Sequence, residues 1–284
     1  MDIWSTFIIE PMTNILLFIY NLLFLNFGLA IIVFTIVIRL ITHPFTAQQI
    51  KSSKKMQDLQ KSKEWLDIQK KHKGDREKLT QEQMKLYKET GVSPFGACLP
   101  TLLQFPIIIG LYQTIIRALA SSPLQLFQFS QLIYSWIPAN VALLIPINSQ
   151  FLWMDLSQPE RIPLPFIPET VPILGQGLPF LAIIVVITSY VQSKLMATSQ
   201  PTTGEQGGGQ MTQMMNLYMP LLMGYFALTF ASGLALYFVT SNLFTIGQYA
   251  VLGRVDWRNL IPARVRPAEP TKPKAKVKPK PKGS

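Results

Sequence analysis

The chain has 284 residues, 49% of them hydrophobic, and a formal net charge of +11. Charged residues make up only 14%, against about 25% in a soluble domain, and they cluster. Residues 51–90 hold 12 Lys/Arg with 7 Asp/Glu, residues 253–284 hold 10 with 2, and only ten charges are left for the rest. A surface so poor in charge excludes an ordinary water-soluble enzyme and predicts an all-α polytopic membrane protein with two basic segments in water.

At the N-terminus, Asp2 and Glu10 precede the apolar run and no base does, which reads as the absence of a cleaved signal peptide. The stretch 12–41 is too long for one upright span and too short for two. Its first half therefore predicts a helix lying in the interface, with Trp4 as anchor. One long tilted helix is the alternative. We take residues 1–26 as this external interfacial part.

Five segments are long and apolar enough to span, roughly 27–47, 97–117, 177–197, 213–231 and 233–252, forming a core over 27–252. Between the first two, residues 48–91 predict a helical hairpin. Gly74-Asp75 forms its turn, and Thr80-Gln81-Glu82-Gln83 reads as a capping box opening the second arm. The connection 119–176 is interrupted by Pro123, Pro138 and Pro146 and reads as interfacial segments. Cys98 is the single cysteine, so an internal disulfide is impossible, and no activating His or acid is placed to make it a nucleophile. Catalytic triads, phosphate loops and metal-ligand spacings are absent from the sequence, so neither an enzyme nor a cofactor is expected. The tail 253–284 alternates Pro, Lys and Ala from Pro267 onward, a composition unable to build a core. It fits either attraction to anionic lipid or RNA or a solvated tail that serves topology alone.

Basic segments face the cytoplasm. Four spans separate 48–91 from the tail, so both lie inside, while the N-terminus and 119–176 lie outside. With depth assigned in this way, polar side chains fall in the inner half of each span. The first carries Thr35, Arg39, Thr42, His43 and Thr46 on one helical face. The second has Thr101 and Gln104, the third Thr188, Ser189, Gln192 and Ser193, and the fifth Ser241, Asn242, Thr245 and Gln248 below Tyr237. Tyr112, Gln113, Thr114 and Arg117, at the outer end of the second span, are the exception. Taken singly, such groups glue helices together. Gathered in one half of the membrane, they predict a hydrated cavity open to the cytoplasm and sealed outside.

Arg39 lies 12 residues into its span, about 18 Å at 1.5 Å per residue, and no acid occurs in any predicted span. An unpaired guanidinium costs about 2.5–3.5 kcal/mol at that depth by insertion scales, which calls for water or a transient anionic partner. His43, one turn further on, reads as facing the headgroups.

The stretches TIVIRLITHPFTAQQIKSSKKMQDLQ, QEQMKLYKETGVSPFGACLPTLLQFPIIIGLYQTI and MPLLMGYFALTFASGLALYFVTSN resemble the YidC/Oxa/Alb membrane protein insertases, over residues 27–117 and 177–250. The resemblance implies a five-span core with a cytoplasmic hairpin and a groove open to the cytoplasm and to lipid. It matches Arg39 to the family's arginine on the first span and Gln192 to its glutamine on the third. It also sets Tyr237-Phe238 where the family has Tyr-Trp, a departure at Phe238. The candidate groove residues are thus Arg39, Thr35, Gln104, Gln192, Ser241, Tyr237 and Phe238. The chain lacks the large external domain and the lipoprotein-type cysteine of other branches and looks like a short bacterial member.

The implied function is insertion of nascent membrane proteins from the cytoplasm into the lipid bilayer, with the ribosome and the Sec translocon as candidate partners and rRNA as a candidate contact of the tail. The expected location is the bacterial plasma membrane. A secondary transporter or channel for a small anion is the alternative; it predicts internal repeats, interrupted helices and polar linings past the midplane, whereas no internal repeat is found and the span count is odd.

Overall fold

The computed structural model describes residues 3–60, 62–72, 74–92, 99–119, 122–137, 147–163, 177–196 and 209–251. Cys98, Gly207, Gly208 and the basic tail lie outside these. Among the described residues ten α-helices run α1 (Glu10–Leu22), α2 (Phe27–Ile41), α3 (His43–Gln60), α4 (Lys63–Lys71), α5 (Arg76–Thr90), α6 (Leu99–Ala118), α7 (Pro123–Ser130), α8 (Phe180–Met196), α9 (Gly209–Thr229) and α10 (Ser232–Val251). One departure from the all-α expectation is a small antiparallel pair, β1 (Gln150–Phe151) and β2 (Met154–Asp155).

The N-terminal region is not one long helix. A π-helical turn, Ser5–Ile9, leads into α1, and the chain then reverses through Phe24 and Leu25, both at positive φ (53° and 62°). Asn26 starts α2 by accepting the Leu29 N–H at 3.0 Å, an N-cap bond that satisfies one of the helix's free donors. α1 packs on α2 and α6, burying Met12, Leu16, Leu17 and Tyr20. Asn14 is buried on the same helix. Its Nδ2 donates to the Glu10 and Leu132 carbonyls (2.7 and 2.8 Å), and its Oδ1 accepts the Tyr134 N–H at 2.7 Å. One mid-helix amide thus fastens loop 131–137 to α1.

The first predicted span was drawn too long. α2 stops at Ile41 and bends by 57° into α3, because Pro44 disfavours helix at the residue before it and is tolerated only in a first turn. The hairpin accordingly begins at His43, not at residue 48. Its second arm begins at Arg76, where Asp75 Oδ1 accepts the Lys78 N–H at 3.1 Å. Thr80, predicted as the cap, lies inside α5. Starting early lets Leu79 become buried. Gly91, at φ 65°, closes the arm in the left-handed conformation that glycine adopts without steric cost. Among the described residues Leu59, Trp65 and Leu86 form the hairpin's buried cluster, with the Tyr87 ring tilted against Trp65 at a centroid distance of 5.3 Å.

α2, α6, α8, α9 and α10 surround a single apolar core. On α2 the buried positions Phe27, Ala30, Ile31 and Phe34 follow helical spacing, and they meet Leu111, Ile115, Val185, Leu234 and Ala235. The outer surface is apolar as well: Leu29, Leu40, Ile109, Ile116, Ile183, Ile187, Leu221 and Leu243 are all exposed. Large apolar side chains exposed on all five of these helices mark a surface made for lipid or partner contact. Among the described residues no single helix is long and apolar enough to cross a membrane. The bent pair α2–α3 is, taken together, and Phe180–Leu195 and Tyr218–Thr229 are shorter apolar helices.

Segment 147–163 closes one end of the bundle. Phe151, Met154 and Leu156 are buried in it. The Ser232 N–H and Oγ–H donate to the Gln158 and Asp155 carbonyls (2.8 and 2.6 Å), and the Gly233 N–H donates to that of Leu156 at 3.2 Å. Phe151 lies flat against Gly28, where a Cβ would fall 2.1 Å from its ring.

Candidate functional site

Below that closed end, α2, α6, α8, α9 and α10 enclose a cavity of about 200 Å³. Its organising element is α10. Tyr237, Ser241, Thr245 and Gln248 recur at steps of four, four and three, which is one helical face, and all four are buried. Helices α2 and α6 both tie into this stripe. From α2 the Arg39 guanidinium donates through Nη2 to Ser241 Oγ, and from α6 Gln104 Nε2 donates to the Tyr237 hydroxyl. On the adjoining face, Asn242 Nδ2 donates to Thr188 Oγ1 and Ser189 Oγ of α8, at 3.1 and 2.8 Å. One turn past Arg39, His43 Nδ1 pairs with Gln248 Nε2 at 2.8 Å. That histidine therefore faces the bundle, contrary to the headgroup position expected for it.

Six of the seven expected groove residues border the cavity: Arg39, Gln104, Gln192, Tyr237, Phe238 and Ser241. Thr35 does not. It is fully buried, and its hydroxyl donates to the Ile31 carbonyl of its own helix at 2.6 Å. Absent from the candidate set are Phe105, Ile108, Met219, Pro220 and Met223, the apolar wall on α6 and α9. An apolar residue in an apolar span carries no pattern that separates wall from lipid face, so spacing could not have found them. Two of the four residues of the polar exception on α6 find partners. Gln113 Oε1 accepts the Trp4 indole N–H at 3.0 Å, and Tyr112 packs edge-on to Phe230 at 4.8 Å.

Among the described residues the one ion pair is Lys78–Asp75, at 3.3 Å in the hairpin, so the half-buried Arg39 has no carboxylate partner. Among the described residues its hydrogen-bond partner is the neutral Ser241 hydroxyl. The cavity therefore presents a cation and several hydrogen-bonding groups on one side and flexible methionine and aromatic surface on the other. This chemistry suits an anionic or amide-bearing chain with an apolar portion, and thioethers adapt to varied shapes. The volume falls below the ~300–1,000 Å³ typical of small-molecule pockets. Among the described residues no group of His, Cys, Asp and Glu is arranged to hold a metal.

Residues 18–257 match the family model described as 60Kd inner membrane protein. Among curated relatives, the membrane protein insertase MisCA of Bacillus subtilis is 32% identical over 247 residues, covering 86% of this chain and 77% of that protein. The membrane protein insertase YidC of Oceanobacillus iheyensis is 29% identical over 257 residues, covering 89% and 84%. That of Syntrophobacter fumaroxidans is 34% identical over 246 residues, and the chain spans only 37% of its length. In fold, the chain is similar to an active YidC insertase crystal structure with the first transmembrane domain resolved. The TM-score is 0.55 at 24% identity, over 88% of this chain and 47% of that one. With its exposed apolar belt and half-polar bundle, the chain is a helical protein of a bacterial membrane and belongs to the 60Kd inner membrane protein family, the YidC-type membrane protein insertases.

Proposed function

We propose that α2, α6, α8, α9 and α10 are five membrane spans. The hairpin α3–α5 and the tail 253–284 lie in the cytoplasm, and the N-terminus and segment 119–176 lie outside. The short, often acidic outer tail of a nascent membrane protein enters the cavity from the cytoplasm, and Arg39 holds it. The apolar segment that follows slides along the lipid-facing side of α8 and α10. A polar inner half shortens the hydrocarbon barrier that the tail must cross, and partition of the apolar segment into lipid drives release without nucleotide hydrolysis by this chain. Contacts with the ribosome, the Sec translocon or rRNA through the basic tail belong to the same proposal.

One observation carries this reading: a cationic side chain in a membrane bundle, turned into a cavity and bonded only to a neutral hydroxyl. An ionisable side chain inside a membrane bundle marks function by default. The small volume and the packed segment 147–163 favour it over passage of a small anion through a pore.

The test is insertion of a single-span substrate with an acidic tail into liposomes carrying the protein. Hydrogen bonds to charged groups contribute about 1.5–3 kcal/mol, so Arg39→Ala is expected to slow insertion about 10- to 100-fold. Arg39→Lys, which keeps the charge without the planar fork, should fall between. Equal insertion by Arg39→Ala and wild type would refute charge capture, whereas no insertion by wild type above empty liposomes would refute the whole proposal.

A further inference from the structure

The strands β1 and β2 pair Gln150 with Asp155 and Phe151 with Met154, leaving a two-residue turn, Leu152–Trp153. Such turns demand positive φ and ordinarily take Gly, Asn or Asp. Here the first turn residue is a leucine at φ 56°, a conformation costly for a branched side chain in water. Packing does not account for it, because Leu152 is 72% exposed and Trp153 53% exposed.

The turn is held firmly from below. Trp153 Nε1 donates to Glu160 Oε1 at 3.0 Å, and the other oxygen of this buried carboxylate accepts the Leu181 N–H at 3.1 Å, at the start of α8. The indole ring packs edge-on to Phe180 at 5.8 Å. Phe180, Ile183, Ile187 and Tyr190 then continue as one exposed strip along α8, at steps of three, four and three. Leu152 and Trp153 therefore extend the lipid-facing strip of α8 beyond the end of the helix. With its N–H bonded inside the protein, the ring can leave water without stranding a donor. Polar Gln150 and Asp155 stand at the base of the hairpin, where headgroups and water would meet them.

We propose that the Leu152–Trp153 turn is a lipid-binding tip inserted shallowly into the outer leaflet beside α8, so that segment 147–163 is held by the bilayer as well as by the bundle. The side of insertion rests on the orientation proposed above. The test uses the full chain carrying Cys98→Ser and a single cysteine at Leu152→Cys, Ile187→Cys or Lys78→Cys, labelled with an environment-sensitive fluorophore and reconstituted in liposomes. The lipids are spin-labelled either near the headgroup or near the bilayer centre. The expected result for Leu152→Cys is a blue shift relative to Lys78→Cys, with stronger quenching by the shallow label than by the deep one. If Leu152→Cys emits like Lys78→Cys and is not quenched while Ile187→Cys is, the tip lies in water and the proposal falls with the membrane reading intact. If Ile187→Cys is not quenched either, α8 is not lipid-exposed and both readings fall.

Discussion

Two residue-scale features govern how firmly segment 147–163 stays packed on the end of the bundle. Gly28 and Phe151 touch so closely that a methyl group at position 28 would overlap the ring, at 2.1 Å. Overpacking of this kind costs about 1–3 kcal/mol, so Gly28→Ala should lower the melting temperature of the protein in detergent. In a Phe151→Ala background the added methyl has room, and the same substitution should cost little. This non-additivity, measured as a double-mutant cycle, separates the contact from a general intolerance of alanine. The second feature is Asp155. Burial pushes its carboxyl up, but the Ser157 N–H and Oγ–H, at 2.9 and 2.7 Å, together with the Ser149 hydroxyl, outweigh that and hold it below the usual carboxylate range. A lowered folded-state pKa contributes stability above the unfolded value of about 3.9 that is lost as pH falls through the folded value. The stability difference between wild type and Asp155→Asn should therefore be full at neutral pH and vanish in strong acid. A difference that persists unchanged in acid would show that the carboxylate charge is not its source.

Among the elements, the hairpin α3–α5 and the bundle differ most in how they are held. Leu59, Trp65 and Leu86 are all that the hairpin buries in its cluster, whereas α8, α9 and α10 pack along their lengths. Local opening free energy follows buried apolar contact, so backbone amides of α4 and α5 should exchange with solvent much faster than those of α8 and α10. Asp75→Ala removes the cap of α5 and should cost about 0.5–2 kcal/mol, confined to that arm. Hydrogen exchange should show faster α5 amides and unchanged α10 amides. A global acceleration would mean that the hairpin and bundle unfold together. The turn at Gly74-Asp75 was legible in the sequence. The choice between Asp75 and Thr80 as cap was not, because both residue types cap well and burial of Leu79 decides between them. In the same way, the apolar run 27–47 reads as one helix until Pro44 is weighed against its position, and the bend after Ile41 shortens it.

For the molecule as a whole, the amphipathic organisation was readable from pattern alone. Charges concentrated in two segments, polar residues gathered mostly in one half of the apolar runs and an arginine well inside the first run all follow from the order of residues, because helical rise converts sequence position into distance along a helix. Six of the candidate groove residues surround one cavity for that reason. Thr35 fell away because a hydroxyl in a helix can bond its own preceding turn, which its position does not reveal. Partnership was beyond the reach of pattern. That Arg39 meets Ser241, 202 residues away, or that Ser232 fastens to the Asp155 carbonyl across 77, depends on which helices become neighbours. Segment 147–163 shows neither helical nor strand periodicity in its sequence, so nothing local announced that it would close an end of the bundle. Its closure is decided by backbone bonds to the α10 N-terminus and by Phe151 lying on Gly28. The sequence by itself thus determined where polarity and charge fall along the apolar helices. Tertiary packing alone decided which groups satisfy one another and which end of the bundle is closed, because both require residues far apart in the chain to meet.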